Sequence, residues 1–195
     1  MKKLLYLLAT ASALGGCQKK GIEPSEDTAA LHDRFHGQYN LISATADRAV
    51  DLNRDGQAST DLAAEIPHLN QPEWLDAGRL LIRIRNTGEK VYEEWWPQPY
   101  IARNWQYSSP DSVILNGYLG QVAQRNFTFD KALTSLLVEP GPVAYADGGR
   151  FAAPEKVTIE GDGQLRVVTS RLLYIGRSWQ LVRITVVYKR FTIIT

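Results

Sequence analysis

Asp51-Leu52-Asn53-Arg54-Asp55-Gly56 is the stretch of this chain whose side-chain spacing implies the most specific chemistry. Asp51, Asn53 and Asp55 put oxygen-bearing side chains at alternate positions, and Gly56 permits the sharp turn that wraps them around one point. A hard cation such as Ca²⁺ takes about six to eight oxygens on a flexible loop, and this spacing supplies the first half of such a cage. Gln57 would add its backbone carbonyl, Ser59 stands at the often water-mediated position, and Asp61 or Glu65 would complete the shell. The place that a bidentate Glu fills in helix-loop-helix calcium sites is held here by Leu62. The alternative is an Asx-rich surface turn, in which Asp and Asn bond their own backbone. Either way the loop implies a structural ion or a structural turn and names no reaction.

A second constellation is aromatic. Trp95, Trp96, Tyr100, Trp105 and Tyr107 crowd one short stretch. Such rings stack on sugars or line an apolar pocket, and they serve equally as core packing. Trp95 and Trp96 are adjacent, so on a regular strand they face opposite ways. The same holds for Glu93 and Glu94, which therefore do not form an acid/base pair. The inventory for catalysis is thin: there is no G-x-S-x-G and no H-E-x-x-H. His32 and His36 are spaced to share a helix face, but no third ligand stands near them. Binding is the leading expectation, a structural or protein-interaction subunit of an envelope complex the alternative, and an enzyme the lesser one.

The elements around these residues begin with a leader. Met1-Lys2-Lys3 is basic and Leu4 to Leu14 is apolar or small, which reads as a secretion signal over residues 1–16. The apolar run is too short to span a bilayer, which takes about 20 residues. It ends in Leu14-Gly15-Gly16-Cys17, which resembles a bacterial lipobox; that resemblance implies that Cys17 is lipidated and anchors the chain in a membrane. Cys17 is the only cysteine, so no internal disulfide forms. Gln18 after the cysteine points to the outer membrane. Residues 17–30 read as the lipidated end and its tether, and residues 31–195 as one domain. With 22 basic residues against 21 acidic ones, no excess charge is left to hold a nucleic acid.

From Gly37 onward the pattern is that of β-strands. Tyr39, Leu41 and Ser43 fall on one face; Leu80, Ile82 and Ile84 oppose Arg83 and Arg85; Val182, Ile184, Val186 and Tyr188 oppose Arg183, Thr185 and Lys189. Pro97 and Pro99 are expected to break the strand that holds the tryptophans. Helix is expected only before Gly37 and in one or two turns after the acidic loop, with Ser59 or Thr60 as N-cap. Short alternating strands with frequent turn signals predict an all-β, antiparallel barrel of roughly eight to ten strands.

A family resemblance rests on four stretches: Gly37-Gln38-Tyr39-Asn40-Leu41-Ile42-Ser43-Ala44, then Ala49-Val50-Asp51-Leu52-Asn53-Arg54-Asp55-Gly56, then Ser59-Thr60-Asp61-Leu62, and the closing Val187-Tyr188-Lys189-Arg190. They resemble the opening and last strand of lipocalin-like lipoproteins of Bacteroidetes-type bacteria, with Tyr39 where true lipocalins open on Trp. The resemblance implies a lipocalin-like barrel large enough for a small apolar or sugar-like ligand, and it names no ligand.

Overall fold

The computed structural model describes residues 27–67, 69, 78–103, 113–140 and 152–194. Cys17, the leader, most of the tether, and Trp105 and Tyr107 lie outside these residues. The chain opens with α1 (Thr28–Phe35), continues through β1 (Gly37–Val50), β2 (Ser59–Asp61) and α2 (Leu62–Glu65), and is then β throughout. The later strands are β3 (Arg79–Ile84), β4 (Lys90–Arg103), β5 (Val113–Phe129), β6 (Ser135–Val138), β7 (Lys156–Glu160), β8 (Gln164–Ile175) and β9 (Ser178–Thr192). Every pairing is antiparallel. β1, β3, β4, β5, β6, β7, β8 and β9 pair in that order, and β9 returns to β1, so eight strands close a barrel. The all-β antiparallel barrel with short helices near its N-terminus is therefore the observed fold.

Closure follows from the alternation in the sequence. On β9, Val182, Ile184, Val186 and Tyr188 are buried inward, and their partners on β8 are Arg171, Thr169, Val167 and Leu165. Leu80, Ile82 and Ile84 add the β3 wall. Each such side chain contributes about 1.5–3 kcal/mol by leaving water.

One end of the barrel is closed by α1. Asp27 caps the helix by accepting from Ala30 N at 3.1 Å. Leu31 and Phe35, four apart, put its apolar face into the core, where Phe35 meets Phe129 with ring centroids 4.8 Å apart. Tyr39 Oη donates to the Phe35 carbonyl at 2.6 Å. Arg190 Nη1 donates to the carbonyls of Asp33 (3.0 Å) and His36 (3.4 Å), which places a cation at the negative end of the helix.

Three local expectations are corrected. A bulge between Leu41 and Ser43 shifts the register of β1 against β9. Ser43 therefore pairs with outward Val187, and Ala44 and Ala46 take the inward places. The cap of α2 is Asp61, whose side chain accepts from Ala63 N at 3.0 Å, and not Ser59 or Thr60.

Pro97 and Pro99 do not break β4, which runs through both. The Trp95 carbonyl accepts from Gly78 N, so the odd-numbered residues of β4 turn their backbone groups toward the β3 side. β3 begins only at Arg79, which pairs with Trp95. The missing amides of Pro97 and Pro99 thus fall beyond the start of β3, and the ladder to β5 stays whole.

Candidate ligand site inside the barrel

Register decides which side chains face the lumen. Ile82 and Leu80 point inward and pair with Tyr92 and Glu94, so on β4 the alternate residues Tyr92, Glu94, Trp96 and Gln98 are the buried inward ones. Their β5 partners are Arg125, Ala123, Gln121 and Leu119. Opposite them, β8 contributes Thr169 and Arg171.

These residues build a polar cluster inside an apolar enclosure. Glu94 and Arg171 are each 2 % exposed, and Arg171 Nη2 donates to Glu94 Oε2 at 2.5 Å. Tyr188 Oη donates to the other oxygen, Glu94 Oε1, at 2.9 Å. The Arg171 guanidinium lies over the Trp96 ring, 4.8 Å from its centroid, a cation–π contact out of reach of water. Burial pushes the Tyr188 hydroxyl well above its ordinary range, and the Glu94 carboxylate adds to this, so it stays a neutral donor. The Tyr92 hydroxyl is raised for the same reasons, burial first and Glu94 second.

The cluster is not self-sufficient. Tyr92 Oη, Trp96 Nε1, Thr169 Oγ1 and Arg171 Nε are buried and have no hydrogen-bond partner among the described residues. Tyr92 Oη lies in the field of Glu94 without a hydrogen bond of adequate geometry. A polar atom stranded in this way costs about 1–3 kcal/mol. Above the cluster the β4–β5 hairpin turns its other side to the core: Pro97 and Pro99 are buried and Tyr118, the partner of Pro99, packs against the core, while Tyr100 and Leu119 are 46 % and 48 % exposed.

The aromatic stretch is thus divided by the strand. Trp96 is in the lumen beneath Arg171, and Tyr100, further along the strand, is 46 % exposed. Trp95 is on the outer face, where its Nε1 donates to Glu93 Oε1 at 3.1 Å and Arg83 pairs with Glu93 at 3.3 Å. The motifs and spacings of the sequence do not single out Arg171 and Thr169. The signal they do carry is parity: both share the alternate positions of Leu165, Val167 and Leu173, where an arginine is out of place unless it has a partner inside.

The acidic loop stands at the other end of the barrel from α1. Asp51 Oδ1 accepts from Arg54 N (2.7 Å) and Asp51 Oδ2 from Gly56 N (3.1 Å). Asn53 Oδ1 accepts from Asp55 N (3.0 Å), and Asp55 Oδ1 from Gln57 N (2.7 Å). Arg54 and Gly56 take left-handed backbone angles, φ 64° and 85°, which coil the loop. Glu65 is buried; its Oε2 accepts from Leu52 N at 2.8 Å and fastens the loop to α2. The structure thus gathers Asp51, Asn53, Asp55, Gln57 and Glu65, while Asp61 caps α2. Among the described residues no three His, Cys, Asp or Glu side chains are grouped as metal ligands. Leu52, Leu62, Ile66 and Leu69 belong to the same buried cluster as the barrel walls, so loop and helix together form a lid.

His32 and His36 stack with centroids 4.1 Å apart, and His36 Nδ1 accepts the Ile84 amide at 3.0 Å. Compared with known family models, curated proteins and solved structures, the chain gives no match in any of the three.

Proposed function

We propose that this chain is a lipid-anchored protein of the cell envelope whose barrel holds a small organic ligand against Glu94, Arg171 and Trp96. The observation that carries the proposal is the group of buried polar atoms without partners among the described residues: Tyr92 Oη, Trp96 Nε1, Thr169 Oγ1 and Arg171 Nε. Buried polar groups are nearly always bonded, and a guest that meets several at once offsets their joint cost. A few convergent polar groups in an otherwise apolar enclosure are the usual make-up of a small-molecule site.

The anchor is supported by the basic start, the apolar run and Leu14-Gly15-Gly16-Cys17. Acyl chains on Cys17 would tether the domain to the outer membrane through residues 18–30. The acidic loop supports a structural calcium ion at the lid, because a carboxylate has about four lone-pair sites and each Asp51 oxygen gives one to an amide.

The test is native mass spectrometry of the mature protein taken from its own membrane. The expected result is a mass excess of one small molecule, released on unfolding and absent from Trp96→Ala. A protein of bare polypeptide-plus-lipid mass, with only ordered water around Arg171 in a crystal structure, would overturn the ligand reading.

A further inference from the structure

The chemistry of the open atoms narrows what the guest must be. Trp96 Nε1 and Arg171 Nε carry hydrogens and have no acceptor capacity. Two of the four unpartnered atoms are therefore obligate donors, and the other two, the hydroxyls of Tyr92 and Thr169, can donate as well. A guest that satisfied all four would be rich in acceptors at one end.

The geometry of the guanidinium points the same way. Of the charged groups that act on the Tyr92 hydroxyl, Glu94 and Arg171 are held to each other, and Arg125 Nη1 donates to the Pro140 carbonyl. Both Glu94 oxygens are already engaged, one by Arg171 Nη2 and one by Tyr188 Oη. The guanidinium is a planar fork, and Glu94 takes only part of it; the Nε–H beside it stays open. A carboxylate, with two acceptor oxygens and a negative charge, meets that open N–H and the Trp96 N–H better than a hydroxyl or an ether does. The walls around the cluster are apolar: Leu80, Val182, Ile184 and Ala44 are all buried there.

We infer that the ligand is an apolar monocarboxylate whose head is held by Arg171 Nε and Trp96 Nε1, with Thr169 and Tyr92 bonding its remaining lone pairs. The inference rests on the lumen-binding reading above. Glu94 is then a positioning residue, which together with Tyr188 fixes the plane of the guanidinium so that its open edge faces the guest.

The experiment compares two probes with one apolar body and different heads, phenylbutyrate and phenylbutanol, titrated by calorimetry into the mature wild-type protein. Phenylbutyrate is expected to bind at least roughly tenfold tighter, since a hydrogen bond to a charged group is worth about 1.5–3 kcal/mol. Trp96→Phe keeps the ring and removes only the N–H; it is expected to weaken phenylbutyrate by about tenfold and leave phenylbutanol unchanged. Arg171→Lys keeps the charge beside Glu94 and removes the fork, with the same expected split. Equal affinity for acid and alcohol would overturn the carboxylate while leaving lumen binding intact. Binding of the acid that Trp96→Phe does not alter would place the head elsewhere and overturn the assignment. Failure of both probes to bind, in a protein that also carries no native guest, would overturn both readings.

Discussion

Glu93 and Glu94 are neighbours in sequence and are separated by the wall of the barrel. Glu94 is inside with Arg171 and Tyr188, whereas Glu93 is outside with Arg83 and Trp95. Their substitutions should differ accordingly. Glu94→Leu leaves Arg171 charged and unmatched in an apolar interior and is expected to cost about 3–5 kcal/mol in urea unfolding. The double variant Glu94→Leu/Arg171→Met removes both charges and is expected to recover most of that loss. Glu93→Gln keeps the size of a side chain that is 9 % exposed and leaves an Arg83 that is 32 % exposed and partly hydrated, so it is expected to cost less than Glu94→Leu, about 1–3 kcal/mol. Equal losses at the two positions would contradict the placement.

Stability should depend on pH through His36. Burial lowers its pKa below 6.5, with smaller pushes from His32 and Arg83. Its Nδ1 must also be unprotonated to accept the Ile84 amide. Protons therefore bind the unfolded chain more readily than the folded one. The stabilisation is complete above the unfolded value of 6.5 and is lost as pH falls below it through the folded value. Thermal midpoints at about pH 8 and about pH 5.5 should differ in wild type and draw together in His36→Gln. An unchanged difference in that variant would remove His36 as the cause.

The acidic loop can be probed in two layers. Asp51→Ala removes the acceptor of two loop amides and is expected to cost about 1 kcal/mol in EDTA, before any loss of metal binding. Calcium is expected to raise the wild-type midpoint relative to EDTA, by an amount equivalent to about 2.7 kcal/mol at a hundredfold excess over Kd. In Asp51→Ala/Asp55→Ala this response should vanish. A wild-type midpoint indifferent to calcium, with no heat of binding, leaves the Asx turn as the whole account of the loop.

Cys17→Ser is expected to abolish acylation and move the protein from the membrane to the soluble fraction. Metabolic labelling with a fatty acid and fractionation read this directly. A wild-type protein that takes no label would set the lipobox reading aside.

The fold is legible in the sequence because strand periodicity is local. Val182, Ile184, Val186 and Tyr188 announce an inward face within seven residues of chain, and so do Leu80, Ile82 and Ile84. What escapes is whatever depends on a neighbour. The bulge after Leu41 reverses the inward parity of β1 and is defined only against its partner strand β9. The passage of β4 through Pro97 and Pro99 depends on where β3 starts. The Glu94–Arg171 pair joins residues 77 positions apart, and only the closed register of eight strands brings them together. Adjacency alone shows that Glu93 and Glu94, like Trp95 and Trp96, face opposite ways. Which member of each pair faces inward is decided by the partner strand.

The two prolines of β4 have a further consequence. Among the described residues, the upper part of β4 presents its β3-side backbone edge beyond the point where β3 begins. Both prolines are nonetheless buried. A buried amide without an acceptor costs about 1–3 kcal/mol, and proline carries no amide hydrogen to strand there. Pro97 and Pro99 occupy the alternate positions whose amides would point toward that edge. They let the chain bury a strand past the reach of its neighbour without leaving a donor unmet.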